Sequence, residues 1–230
     1  MKIVNQLGRK LKQALRARGF DIVKHKDLPD WLALHEIDIV LDIGANDGRY
    51  ATEIRDAGWA GKIVSFEPQP AVFERLKQRM TGDSTWSGHQ IGLGNENSSL
   101  TLNAYGMDVL SSFLQKKIDD QEVTKIQVPV KRPEDILDGV LDGRKRPFVK
   151  IDTQGFEMEI IRGFGSRAKD IVGWQIELSV EPLYEGQPMM EEVISIMRAN
   201  GFSLWRILPG LRDPATLQAF ELDGIFFRHQ

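Results

Sequence analysis

The chain has 230 residues, enough for one large domain or a domain with a small appendage, and its 30 basic and 33 acidic residues leave a net charge of −3. So near a balance gives no bulk electrostatic reason to expect nucleic-acid binding, and the absence of cysteine excludes disulfides and thiolate metal sites. No apolar run reaches the length of about 18 residues that a membrane span needs, and the N-terminus lacks an apolar signal core, so a cytoplasmic location is expected.

The charge is uneven along the chain. Residues 1–26 carry Lys2, Arg9, Lys10, Lys12, Arg16, Arg18, Lys24 and Lys26 against Asp21 alone. Ile3, Val4, Leu7, Leu11, Ala14 and Leu15 recur there at helical spacing. This pattern predicts a basic helical appendage over residues 1–35, packed on a domain spanning 36–230. Weak peripheral membrane contact through the basic helix is the alternative role. Pro29, Trp31, Leu32 and Leu34 predict a short helix leading into the first strand.

Residues 38–48 organise the rest of the chain. Ile39-Val40-Leu41-Asp42-Ile43 reads as a buried parallel strand that stops at the turn Gly44-Ala45-Asn46-Asp47-Gly48. Tyr50, Ile54 and Ala57 then give a helical period. A dinucleotide fingerprint needs glycines at its first, third and sixth positions. Counting from Gly44, Asn46 and Arg49 occupy the last two. No Gly-Lys-Ser/Thr ending makes a P-loop either. A tight loop with Asn in place of the middle glycine suits a ligand without phosphates. The second strand, residues 62–66, ends at Glu67-Pro68, where an acid is placed to accept hydrogen bonds from ribose hydroxyls. Loop and acid together indicate an adenosine-containing ligand.

Pro70 opens a helix through Met80, and residues 86–91 are expected as the third strand. Its end should lie beside the base of the ligand, making His89, Gln90 and Ile91 candidates for the adenine edge. Between Gly92 and Arg132 the alternation of strands and helices breaks. Strands at 98–104 and 124–130 flank an irregular insertion on the ligand side of the sheet, or form a simple edge hairpin. A short helix at 133–141 precedes the fourth strand, residues 148–152. Asp152 would project from that strand's carboxyl end into the crevice where ligands bind in open α/β sheets. It is placed to orient the amino-acid part of a cofactor, to remove a proton from an acceptor, or to cap the next helix. The fifth strand, 171–179, carries Glu177 near its end, either paired in the interior or facing the pocket. The loop with Glu181 and Tyr184 could roof an acceptor site, and strands at 202–208 and 222–228 come after a helix over 188–200.

Three segments in this order resemble the FkbM-type S-adenosylmethionine-dependent methyltransferases. They are Val40-Leu41-Asp42-Ile43-Gly44-Ala45-Asn46-Asp47-Gly48, Phe66-Glu67-Pro68, and Val149-Lys150-Ile151-Asp152-Thr153-Gln154-Gly155-Phe156-Glu157. Gln154 stands where that family often has Glu. The resemblance runs from about residue 38 to the C-terminus. It implies a Rossmann-like α/β fold, with a mainly parallel seven-stranded sheet, helices on both faces and an antiparallel pair at the edge. S-adenosylmethionine would be held by Asp42, Gly44, Ala45, Asn46, Gly48, Glu67, Pro68, Gln90, Ile91 and Asp152. Ser111 and Ser112 match a recurrent Ser-rich position that, with Tyr184, would contact the acceptor. The reaction implied is O-methylation of a hydroxyl on a saccharide, glycolipid or secondary metabolite. Candidates for the general base are Asp152, Glu177 and then His89. No metal-ligand spacing is convincing, so no metal is expected, although carboxylates alone could hold a magnesium ion. A nicotinamide-dependent oxidoreductase, disfavoured by the missing middle glycine, and a non-catalytic binding protein retaining the fold are the alternatives.

Overall fold

The computed structural model describes residues 13, 15–19, 28–105, 111–115 and 123–228. Most of the basic N-terminal segment, expected as a helical appendage, lies outside these residues. In chain order the elements are α1 (Leu28–Leu34), β1 (Ile39–Ile43), α2 (Arg49–Asp56), β2 (Lys62–Phe66), α3 (Pro70–Arg79) and β3 (Trp86–His89). An inserted group comes next: β4 (Gly92–Leu93), β5 (Ser98–Ala104) and β6 (Thr124–Lys131). The chain then returns through α4 (Pro133–Leu141), β7 (Pro147–Ile151), α5 (Glu157–Gly163), β8 (Gly173–Ser179), α6 (Met190–Ala199), β9 (Phe202–Pro209) and β10 (Glu221–Arg228).

Seven strands form one sheet in the order β3-β2-β1-β7-β8-β10-β9. β1 pairs in parallel with β2 and β7, and β7 with β8, while β10 runs antiparallel between β8 and β9. The strand order therefore reverses at β1 and β7. Such a switch point opens a crevice beyond the strands' carboxyl ends, because the loops after them leave in opposite directions.

All five residues of β1 are buried, as a strand covered on both faces requires. Its alternation divides the core in two. Ile39, Leu41 and Ile43 pack with Val149, Ile151, Phe164 and Trp174 on one face. Val40 faces the other, with Ala51, Ile54, Phe73, Leu76 and Phe148. Leu32 of α1 is fully buried in this second cluster, so α1 packs against the sheet. Asp42 shares Val40's face by the same alternation and interrupts an apolar row. Its register partners are Ser65 on β2 and Lys150 on β7, and Lys150 is in turn opposite Gln175 on β8. One polar residue from each of four adjacent strands thus makes a single row across the sheet, just below the switch point.

The third strand ends two residues before the expected boundary. After His89 the chain leaves the main sheet, and Gly92–Leu93 pairs with β6 instead. The described part of the insertion contains a three-stranded sheet, β4-β6-β5, more than a lone hairpin; most of the segment read as irregular lies outside the described residues. Phe113 packs on Phe156 with ring centroids 4.8 Å apart, fastening the insertion to the loop after β7. Among the described residues no helix is long and apolar enough to cross a membrane.

Candidate active site

The first loop is held from two sides. The N–H groups of Gly44 and Ala45 both donate to the Phe66 carbonyl, at 3.0 Å each. Gly44 has φ +74°, and a Cβ built there would lie 1.9 Å from the Asp152 carbonyl oxygen. The loops after β1 and β7 therefore touch backbone to backbone, which only glycine permits. Asn46 N–H donates to Glu67 Oε2 at 3.0 Å, and Gln69 N–H donates to Oε1 at 2.8 Å. Burial pushes the Glu67 carboxyl up to about 7 despite these two donors.

Beneath the loop, Lys150 Nζ donates to the Gly44 carbonyl at 3.1 Å and lies 3.3 Å from Asp42 Oδ1 and 3.5 Å from Asp152 Oδ2. Its side chain is 6 % exposed. Burial disfavours the ammonium, yet Asp42 and Asp152 together hold its pKa above the ordinary lysine value. Lys150 Nζ also sits 5.3 Å from the centre of the Tyr50 ring.

The second loop is organised by Glu157. Its Oε1 accepts from Thr153 N–H and Oγ1, at 3.0 Å each, and from Gly155 N–H at 3.1 Å. Glu157 therefore satisfies the free N–H groups ahead of α5, a role that Asp152 could have filled by its place in the sequence. Asp152 is left 40 % exposed at the crevice. Gln154 Nε2 donates to Asp152 Oδ1 at 3.1 Å and to Glu177 Oε1 and Oε2 at 3.1 and 2.9 Å. Tyr184 OH in turn donates to Gln154 Oε1 at 3.1 Å, and Ser112 Oγ donates to the Gln154 carbonyl at 2.6 Å.

These groups surround a cavity of about 280 Å³. Gly44, Asn46, Glu67 and Pro68 line one end, Asp152, Thr153, Gln154, Glu177 and Glu221 the other, and Leu102, Ser111, Ser112, Phe113 and Leu211 the remaining wall. A second cavity of about 500 Å³ lies on the α2 side of the first loop, bordered by Ala45, Asp47, Arg49, Tyr50, Lys150 and Asp223. Gly44, Asn46 and Asp152 border both. Among the described residues no group of three or more His, Asp or Glu is arranged to hold a metal ion.

The sequence pattern of the methyltransferase FkbM domain matches residues 42–204, from β1 into β9. The chain belongs to this family. The methyl donor of this family is S-adenosylmethionine, as the sequence resemblance implied. Two fungal relatives agree with the assignment. "Methyltransferase 1" of Beauveria bassiana is 30% identical over 151 residues, covering 58% of this chain and 61% of that protein. "Methyltransferase sdnD" of Sordaria araneosa is 24% identical over 197 residues, covering 73% and 74%. The chain thus matches rather less than two thirds of the first relative's length. The fold is shared with the fibrillarin pre-rRNA processing protein of Methanococcus jannaschii, at TM-score 0.50 and 10% identity over 88% of this chain and 70% of that one.

The cavity of this FkbM methyltransferase brings together some of the residues singled out from sequence and not others. Gly44, Asn46, Glu67, Pro68 and Asp152 line it, and Ala45 borders the adjoining space. Ser111, Ser112 and Glu177 line the same cavity. Asp42 is fully buried beneath the loop, and Gly48 packs toward Leu76, so neither reaches the cavity. His89, Gln90 and Ile91 line neither space, because β3 ends at His89 and the chain turns into the second sheet; the His89 ring stacks on Phe66 at 5.3 Å. Tyr184 is fully buried and holds Gln154 from behind rather than roofing the cavity. Lys150, Gln154 and Glu221 escaped selection as site residues. A lysine inside the apolar strand Phe148-Val149-Lys150-Ile151 was a usable signal, since burial of a lone ammonium demands partners. Glu221 had no such signal, because it reaches the site through the antiparallel register that sets it opposite Ser179.

Proposed function

We propose that this methyltransferase transfers a methyl group to a hydroxyl oxygen of a small-molecule or glycan acceptor, with Asp152 as the general base. The supporting observation is that a half-exposed carboxylate, Asp152, stands on the border of both cavities, touching the glycine loop on one side and the acceptor wall on the other. Glu67 fits the cofactor's ribose: two backbone N–H groups fix the carboxylate, which lines the cavity and has acceptor capacity beyond those two bonds. The Gly44–Asn46 backbone, with Glu67 and Pro68, would hold the adenosyl part.

When bound, S-adenosylmethionine would supply a sulfonium methyl carbon open to in-line attack by the acceptor oxygen, with the neutral thioether of S-adenosylhomocysteine as leaving group. The protein's share is alignment, exclusion of water and removal of the hydroxyl proton. Asp152 accepts that proton. Lys150, 3.5 Å behind it, and the Gln154 amide at 3.1 Å fix its orientation. A positioned base of this kind is worth roughly 10²–10⁴ in rate.

The test is calorimetric titration with S-adenosylmethionine and, separately, NAD, on the native chain and on Glu67→Ala. Micromolar binding of the first, weakened at least tenfold in the variant, with no binding of NAD, is the expected result. A folded protein that binds neither, or only NAD, rejects the reading. A screen of monosaccharide and polyol acceptors for S-adenosylhomocysteine formation then compares native chain with Asp152→Asn. An unchanged turnover in that variant removes Asp152 as the base.

A further inference from the structure

Four carboxylates, Glu67, Asp152, Glu177 and Glu221, line the principal cavity, and no Lys, Arg or His is among the described residues that line it. Glu67 is spoken for by the loop amides, and Asp152 has Lys150 beside it. The far end is different. Glu177 receives the Gln154 amide, which is neutral, and shares a side-chain hydrogen bond with Glu221, which Gln187 also meets; Glu221 is 3 % exposed, and its Oε1 is buried without a partner. Ser111 Oγ, on the same cavity's wall, is likewise buried without a partner. A buried carboxylate oxygen left unpaired is costly, and on the wall of a cavity a bound group that donates to it would remove that cost.

We infer that the Glu177–Glu221 end of the cavity is a subsite for a protonated amine, so that the acceptor is an amino alcohol or amino sugar carrying its ammonium beside the hydroxyl that is methylated. This rests on the methyltransferase reading and narrows its substrate class. An ammonium brings three donors and a positive charge to a place that offers acceptors and negative charge. The titratable groups that act on this end are carboxylic acids from four elements. Glu221 and Asp223 come from β10, Glu177 from β8, Asp152 from the end of β7 and Glu157 from α5; Lys150, the cation beside Asp152, is engaged with Asp42, Asp152 and Gly44. Burial first, and then these neighbouring acids, push Glu177 well above the ordinary carboxylate range and Glu221 up to about 7. A cation arriving there ionises the pair and drives protons out. Pairing also directs the chemistry. A protonated nitrogen has no lone pair with which to attack the methyl carbon, so the hydroxyl beside Asp152 is the nucleophile that remains.

The experiment titrates ethanolamine, ethylene glycol and glycolate into the native chain, with and without saturating S-adenosylhomocysteine, following amide shifts by NMR and heats by calorimetry in two buffers of different ionisation enthalpy. The inference expects ethanolamine to bind at least tenfold more tightly than ethylene glycol, with glycolate weakest, and with net proton release near pH 7. Glu221→Gln should remove that preference while S-adenosylhomocysteine still binds, and Glu177→Gln repeats the test should the first variant not fold. Equal binding of the three probes, or binding of ethanolamine without proton release, overturns the subsite. Failure of S-adenosylhomocysteine to bind the native chain instead rejects the methyltransferase reading, and the titrations without it still judge the amine subsite.

Discussion

The ammonium of Lys150 reaches from the middle of β7 to the carbonyl oxygen of Gly44, 3.1 Å away at the end of β1. This one bond joins the two loops that meet at the switch point, because Asp152, two residues along the same strand, is also within 3.5 Å of that ammonium. The geometry of the crevice therefore depends on a side chain that does not line the principal cavity.

Replacing Lys150 by Met should leave Asp42 buried and without its counter-charge. Removing one partner of a buried pair costs about 3–5 kcal/mol. Urea unfolding should show a loss of that order, and whatever protein remains folded should bind S-adenosylmethionine poorly. Full stability in Lys150→Met would mean that the ion pair holds nothing in place.

Two glycines of the first loop should respond differently to alanine. At Gly44 the new Cβ would meet the backbone oxygen of Asp152 at 1.9 Å, and backbone cannot move aside without separating the loops. At Gly48 it would meet the end of the Leu76 side chain at 2.7 Å, which can rotate away. Gly48→Ala should then cost only the left-handed backbone penalty, about 1–2 kcal/mol, while Gly44→Ala abolishes cofactor binding. Calorimetry on both variants decides between this ordering and its reverse.

Stability should fall as pH rises through the range of these carboxyls. Glu67 and Glu221 have folded-state values near 7 against an ordinary 4.5, so the folded protein holds their protons more tightly than the unfolded chain does. Their contribution is complete below about 4.5 and is lost as pH climbs to about 7. Thermal melts of the ligand-free chain between these limits should show it, and the double variant Glu67→Gln, Glu221→Gln should flatten the profile. A melting temperature that rises over this interval in the native chain and is unchanged in the variant would contradict the assignment.

Gln154→Glu restores the residue that the family often carries and removes the amide that separates Asp152 from Glu177. Three carboxylates would then crowd one point. A hydrogen bond to a charged group contributes about 1.5–3 kcal/mol, so a destabilisation of at least that size is expected near neutral pH, recovering on acidification as one carboxyl takes up a proton. Parallel unfolding curves at about pH 5 and about pH 7.5, on either side of the raised carboxyl values, would test both the size and the direction.

Much of the architecture was legible because local physics dictates it. The apolar run Ile39-Val40-Leu41, the glycine turn after Ile43 and the acid closing the second strand each follow from strand burial and loop sterics, and they recur in the structure in the order read. The third strand was drawn too long because His89-Gln90-Ile91 carries no stop signal, and only the pairing of Gly92–Leu93 with β6 ends it. Tyr184 looked like a loop residue free to meet an acceptor. Long-range packing buries it and turns its hydroxyl toward Gln154, 30 residues earlier in the chain.

By itself the sequence determined the fold class, the glycine loop after β1 and the strand ends from which Glu67, Asp152 and Glu177 project, since each of these is written in a window of a few residues. Tertiary structure alone decided which acids share a cavity, which lysine balances them and which oxygen is left without a partner. Those outcomes depend on register between strands distant in the chain, Lys150 opposite Asp42 and Asp223 opposite Glu177, and no local pattern encodes a register.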